Sequence, residues 1–281
     1  MPRKLILSRK GFDGSAGGKP SPILENKFVS LPIPSADSGF FYKDMKFTSE
    51  ENYLKIMKDL GIKQFSEAHL DPDLRRSLLD NHPEEWRGLF GQSGISQGTL
   101  HNRDVGEGDI FLFFGWFKEA RKEVGVWKYV PNAPDVHAIF GYLEVDRELD
   151  IKAGDSIPSW AAYHPHIKHS HEHAKGRNSV YVATSTFSKD ANQPGWGSFH
   201  YDPRLVLTDE AKNARSFWKL PACFQGEQDQ FTPRIKTWSV LSNGMIEIQT
   251  VGRGDQEMYV SSNPEVVAWA EELIRTCSVY E

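Results

Sequence analysis

The chain has 281 residues, 39% of them hydrophobic and 25% charged, with a formal net charge of −5, an ordinary balance for a globular protein that works in water. No apolar run approaches a membrane span, the two cysteines make no disulfide framework, and the acidic balance argues against broad coating of nucleic acid. The basic start MPRKLILSRK carries too short an apolar piece for a signal-peptide core, so a cytoplasmic protein with no membrane partner is expected.

LILSR (5–9) predicts the first strand, ended by a glycine loop. The stretch SRKGFDGSAGGKPSPIL (8–24) then sets Ser8, Arg9, Lys10 and Asp13 beside that loop. It is not a phosphate loop: the first glycine position holds Asp13, and Pro20 stands where Ser or Thr would bind magnesium. Two readings stay open: a pocket lined by Ser8, Arg9 and Asp13 with the glycine loop as its floor, or an exposed turn. Residues 26–41 are rich in Pro and Ser and read as extended or looped. SEENYLKIMKDLGI predicts the first helix, capped by Ser49 and ended by Gly61.

HLDPDL (69–74) sets His69, Asp71 and Asp73 at alternate positions, one face of an extended segment. Such a face suits acid–base work or a divalent metal. The competing reading is a helix start, with Asp71 as cap and Pro72 in the first turn, running on through LRRSLL. LFGQSGISQGTLH (89–101) offers Gln92, Gln97 and His101, read as a polar loop whose amides suit the edge of a base.

Strands are expected over 106–117, 137–149, 179–187 and 256–262, with a hairpin over 234–251 around Asn243-Gly244. Gly115 and Gly141 interrupt two of these runs and mark bulges or close approach. Phe114, Trp116 and Trp127 are candidates for stacking on a base. HPHIKHSHEHAKGR (164–177) is read as a basic loop with His164 and His166 as its pocket pair. Lys175 stands where zinc-protease spacing would need a histidine. Neither HLDPDL nor the histidine loop completes a metal set, so no zinc is expected, and no motif names a cofactor. NPEVVAWAEELIRT predicts a last helix with Asn263 as cap and Pro264 in its first turn. Strands dominate and do not alternate with helices, which predicts α+β with a curved mixed or antiparallel sheet and peripheral helices. Residues 1–281 are expected to form one unit, with a β-hairpin-plus-helix subregion over 205–281.

In their order along the chain, SRKGFD, the GG loop with PSPI, SLPIPS, HLDPDL, FGQ, GDIFLFFGWF, HAIFGYLEV and YHPH resemble the bacterial family called nucleotide modification associated domain 3. That resemblance implies a setting in DNA-base modification and in phage or restriction systems, with nucleic acid or a modified nucleotide as ligand and DNA-modification or restriction proteins as partners. A weaker likeness, carried by Gly108-Asp109 before one apolar strand and Gly141 to Val145 in the next, is to PUA-like and EVE-like barrels. It implies a barrel-type core that accepts a flipped base.

The first functional reading is a binding module: Phe114, Trp116 and Trp127 stack, Gln92 and Gln97 read edges, and Arg9 and Lys10 meet phosphate. The second is an enzyme acting on such a base by glycosidic-bond or transferase chemistry. There Asp13 or Asp71 serves as carboxylate and His69 or His101 as acid–base partner. The third is an interaction protein without a small-molecule site.

Overall fold

The structure is a computed structural model that describes residues 2–173, 176–212, 214–231, 235–250 and 256–279. Lys175, Arg234 and Val251, which fall within the expected basic loop and hairpin, lie outside the described residues. In chain order the elements are β1 (Leu5–Arg9), β2 (Ser21–Leu24), β3 (Lys27–Phe28), α1 (Tyr53–Asp59), β4 (Leu89–Ser93), α2 (Gly94–Asn102), β5 (Ile110–Glu123), β6 (Val126–Tyr129), β7 (Val136–Asp150), α3 (Pro165–Lys168), β8 (Asn178–Ala183), β9 (Trp196–Ser198), β10 (Phe217–Leu220), β11 (Thr237–Val240), β12 (Ile246–Gln249), β13 (Glu257–Ser261) and α4 (Pro264–Cys277).

The main sheet runs β13-β1-β5-β7-β8-β4, with β2, β6 and β9 paired onto its members and β3 onto β2. It is mixed: β5 pairs parallel with β1 and β2, antiparallel with β6 and β7. β5 and β7 form its spine because both are long apolar runs, buried on both faces over most of their length. A second sheet, β10-β12-β11, contains the expected hairpin around Asn243-Gly244. Its Trp218, Leu220, Ile246 and Ile248 join the same core as Leu5, Phe111 and Leu143. Helix α4 closes that core with Val266, Val267, Ala270, Leu273, Ile274 and Cys277, a stripe at helical spacing. Its cap is Asn263, whose side chain accepts from the Glu265 amide.

The α+β class holds, and the main sheet is not closed into a barrel. The sheet stays open: its end strands β4 and β13 share no ladder among the described residues. They meet through side chains instead, with Gln92 Nε2 donating to Glu257 Oε1 at 2.6 Å. A seam therefore replaces the closing strand pair.

Several local expectations are corrected. The first helix starts at Tyr53 under an Asn52 cap, and Ser49 is exposed outside it. No α-helix runs from Pro72 through LRRSLL, which contributes only one tight turn at Arg76–Leu78. The reason is tertiary: the backbones of Asp73 and Leu89 exchange hydrogen bonds of 2.9 and 3.0 Å, which holds the segment extended against β4. The Asp71-Pro72 bond is cis. The polar loop expected over 89–101 is strand β4 followed by helix α2. Gly115 allows close approach, since a Cβ there would stand 2.8 Å from the Lys10 carbonyl oxygen. The register between β5 and β7 shifts next to Gly141.

Candidate functional site

The seam opens into a cavity of about 380 Å³ lined by Arg9, Lys10, Asp13, His69, Asp71, Gln92, His166 and Gln256, with Gly11, Ser15, Ala16, Ile33, Pro34, Ser35 and Ser93 completing the wall. Two larger surface hollows, of about 490 and 500 Å³, hold none of these groups. Volume is therefore a poorer guide here than the convergence of ionisable side chains.

Each residue arrives on a different element. Lys10 follows β1, where the backbone pairs its N–H to the Phe114 carbonyl at 2.8 Å. Its ammonium lies over the Phe90 ring at 4.3 Å, 3.3 Å from Gln256 Oε1 and 3.9 Å from Asp71 Oδ2. The segment that carries His69 and Asp71 is anchored by the His69 amide on the Ile33 carbonyl at 2.8 Å. Asp71 Oδ1 accepts the Gly91 amide at 2.6 Å, and His164 Nε2 stands 3.4 Å from the same oxygen. His166 comes from α3. Its Nδ1 faces Asn178 Oδ1 at 2.8 Å, while Asn178 Nδ2 donates to the His166 carbonyl at 2.7 Å. That pair of bonds orients the amide, so Nδ1 carries the proton and Nε2 offers its lone pair toward Asp71 Oδ2, 4.0 Å away.

Gly91 makes this packing feasible. A Cβ there would lie 2.3 Å from His166 Cδ2 and 2.8 Å from His164 Cε1. A side chain on β4 would displace both rings.

The electrostatics are those of a desolvated site. Burial raises the Asp71 carboxyl, but His164 and Lys10 outweigh it and hold it well below the usual carboxylate range. Burial pulls the His166 imidazole down to about 3, against the opposing pull of Asp71. Glu257, behind the cavity wall, is pushed up by burial, against Lys10 and the hydrogen bonds from Gln92 and Ser8. Its Oε2 is buried with no hydrogen-bond partner. One ligand atom each from His69, Asp71 and His166 lie within 4.8 Å of one another. HLDPDL and the histidine loop, each incomplete alone, are thus joined by the fold.

The other expected residues fall elsewhere or serve differently. Ser8 is fully buried and donates to Glu257 Oε1 at 3.1 Å. Arg9 borders the cavity, yet its guanidinium lies over Phe114 and reaches Met258 Sδ. Lys10 turns to Phe90 instead, because successive residues of an extended segment alternate faces. Asp13 borders the cavity as a turn residue, its Oδ1 accepting from the Ser15 amide, the Ser15 hydroxyl and the Ala16 amide. Gln92 spends both donors on Gln256 and Glu257, and its Oε1 accepts from Ser93. It ties the seam more than it faces a ligand. Gln97 is buried on the face of α2 toward β8, donating to Glu148 and Ser179 and accepting from the Tyr181 hydroxyl. His101 is exposed near the end of α2.

The three candidate stacking rings are not in the cavity wall. Phe114 is fully buried against Trp218 and His137. Trp116 bonds Asp135 and lies under Arg215 at 4.1 Å. Trp127 packs into the second core cluster and bonds Glu51. The stretch read as a basic loop carries helix α3. Both members of its expected pocket pair are buried but only His166 lines the cavity, while His171 is exposed.

Gln256, Glu257, Gly91 and Asn178 were missed by sequence reasoning. Each looks like an ordinary strand or loop residue, and only long-range pairing brings it to the site. No local signal marks them.

No described helix is long and apolar enough to cross a membrane. No curated protein and no solved structure matches the chain. A family model does match, over residues 4–260. That span contains every group that lines the cavity, and the chain belongs to the nucleotide modification associated domain 3 family.

Proposed function

We propose that the protein is an enzyme that binds a nucleotide in the seam cavity and acts chemically on its base or sugar. The observation that carries this reading is the convergence of Lys10, His69, Asp71, His166 and Gln256 on one cavity of about 380 Å³, within the size range of small-molecule sites. Lys10 supplies a cation for a phosphate group, and Gln256 an amide for a base edge. His69, Asp71 and His166 form the reacting wall. Asp71 is held down and nearby Glu257 up, the divergence of neighbouring carboxyls that acid–base sites use. A reader of modified bases would instead need rings to stack on, and Phe114 and Trp127 are committed to the core.

The test is direct. Mononucleotides and short DNA strands, plain and base-modified, are incubated with the protein and the products are weighed by mass spectrometry. A mass change that Asp71→Asn abolishes and Trp116→Ala preserves supports the enzyme. Tight binding with every substrate recovered unchanged returns the protein to the reader class.

A further inference from the structure

The wall formed by His69, Asp71 and His166 has the geometry of a metal site. We propose that these three residues bind one divalent first-row transition ion, with its remaining positions open to the cavity for water or a substrate oxygen.

Three observations carry this. The first is the donor set: two imidazoles and a carboxylate, with candidate ligand atoms within 4.8 Å of one another. Metal–nitrogen and metal–oxygen bonds of about 2.0–2.2 Å bring such atoms to roughly 3–3.5 Å apart, so the side chains need close by less than about 2 Å. Two histidines and one carboxylate with open positions suit Fe(II) and related ions.

The second is the orientation of Asp71 and His166. Asp71 Oδ1 is occupied by the Gly91 amide, whereas Oδ2 has Lys10 Nζ at 3.9 Å and His166 Nε2 at 4.0 Å, both beyond hydrogen-bond reach. Asn178 holds the proton of His166 on Nδ1. A carboxylate oxygen and an imidazole nitrogen thus face the same small space, 4.0 Å apart. Asn178 supplies the outer hydrogen bond that metal-bound imidazoles commonly make to fix their tautomer.

The third is access. Structural metal sites are closed by four protein ligands, while catalytic ones keep a position open. Here three donors line a cavity, and His69 is only half-buried at its edge. Lys10 shares the carboxylate's surroundings and would compete with a second cation. It has an alternative in Gln256 Oε1 and the Phe90 ring, and can stay in place to bind the anionic end of a substrate.

The inference rests on the same cavity as the proposed function, but its test needs no nucleotide. The full-length protein, stripped with chelator, is titrated with Co²⁺ and followed by visible absorption, with elemental analysis after dialysis. About one ion per chain is expected, with absorption bands of nitrogen and oxygen ligation. His69→Gln should weaken binding by more than the roughly 10–100-fold seen when only an outer partner is lost, and Asn178→Ala by about that amount. His69→Gln is the decisive variant, since its half-buried ring can be replaced without opening the core, and an unchanged melting curve verifies the fold. His171→Gln, at the exposed end of the histidine loop, should bind as the native chain does. The proposal is overturned if the stripped protein takes up no Co²⁺, if His69→Gln binds it as tightly as the native chain, or if His171→Gln loses it equally. None of these results bears on whether a nucleotide is modified, which the mass assay reads separately.

Discussion

Asp13 shows how a residue type that invites chemistry can be bound to architecture. With Oδ1 accepting from two amides and a hydroxyl, its carboxylate organises the turn before the glycines. Asp13→Ala should therefore lower stability by about 0.5–2 kcal/mol, the scale of losing a side-chain cap, and Asp13→Asn should leave it nearly intact because the amide oxygen can take the same bonds. Urea unfolding of the two variants decides it. If Asp13→Asn unfolds normally but no longer turns over a nucleotide, the carboxylate belongs to the chemistry. His82 gives a pH-dependent counterpart away from the cavity. Its ring stacks on Trp86 at 4.1 Å and bonds Asp73 at 2.9 Å. Burial lowers its pKa, but the Asp73 carboxylate wins over burial and the nearby Arg76 and raises it above the ordinary value. A raised folded-state pKa means the contribution is complete below the unfolded value of about 6.5 and is lost as pH rises through the folded one. The melting-temperature gap between the native chain and His82→Gln should shrink from pH 6 to pH 9. A gap that widens over that range would show that the pair is not charged in the folded state.

At the scale of elements, the decisive contact is between β4 and α3. Both depend on the absence of a side chain at Gly91, where a methyl group would stand 2.3 Å from His166. Gly91→Ala forces the strand or the histidines to retreat, so a loss of about 1–3 kcal/mol is expected, as for other overpacked positions, together with weaker Co²⁺ binding. Gly98, inside α2, makes the control. A Cβ there meets nothing within 4 Å, and alanine in place of a helical glycine should add roughly 0.5–1 kcal/mol. Parallel unfolding curves for the two alanine variants should move in opposite directions. Equal shifts would mean that β4 tolerates the methyl and that the histidines do not rest on it.

For the whole molecule, the open sheet matters more than any single strand. Its two ends converge through Gln92, Gln256 and Glu257, and the ionisable groups gather where backbone pairing stops. With a net charge of −5, the protein has little long-range attraction for a polyanion, so affinity should come from inside the cavity and depend weakly on salt for a free nucleotide. Trp116 lies under Arg215, outside the cavity wall. Trp116→Ala should consequently bind a mononucleotide as the native chain does, whereas Lys10→Met should bind it tenfold or more weakly, about 1.4 kcal/mol. Calorimetric titration at two salt concentrations measures both. The reverse ranking would move the binding place from the seam to the β5 surface.

Local physics in the sequence was enough for β1, the long apolar strands β5 and β7, the Asn243-Gly244 hairpin and the capped α4, because periodicity, turn chemistry and caps act over a few residues. It was enough, too, to single out Lys10, His69, Asp71 and His166, which the fold gathers at one cavity, since charged and imidazole groups beside apolar runs are costly to bury without partners. It could not separate them from Trp127 and His101, because which face a side chain meets depends on partners far along the chain. Strand β4 was hidden for the same reason: its glycine and amides are unremarkable until β8 pairs with it and α3 packs over it. The open seam was likewise decided only in three dimensions, by an edge strand that reaches its counterpart through Gln92 and Glu257 rather than through the backbone.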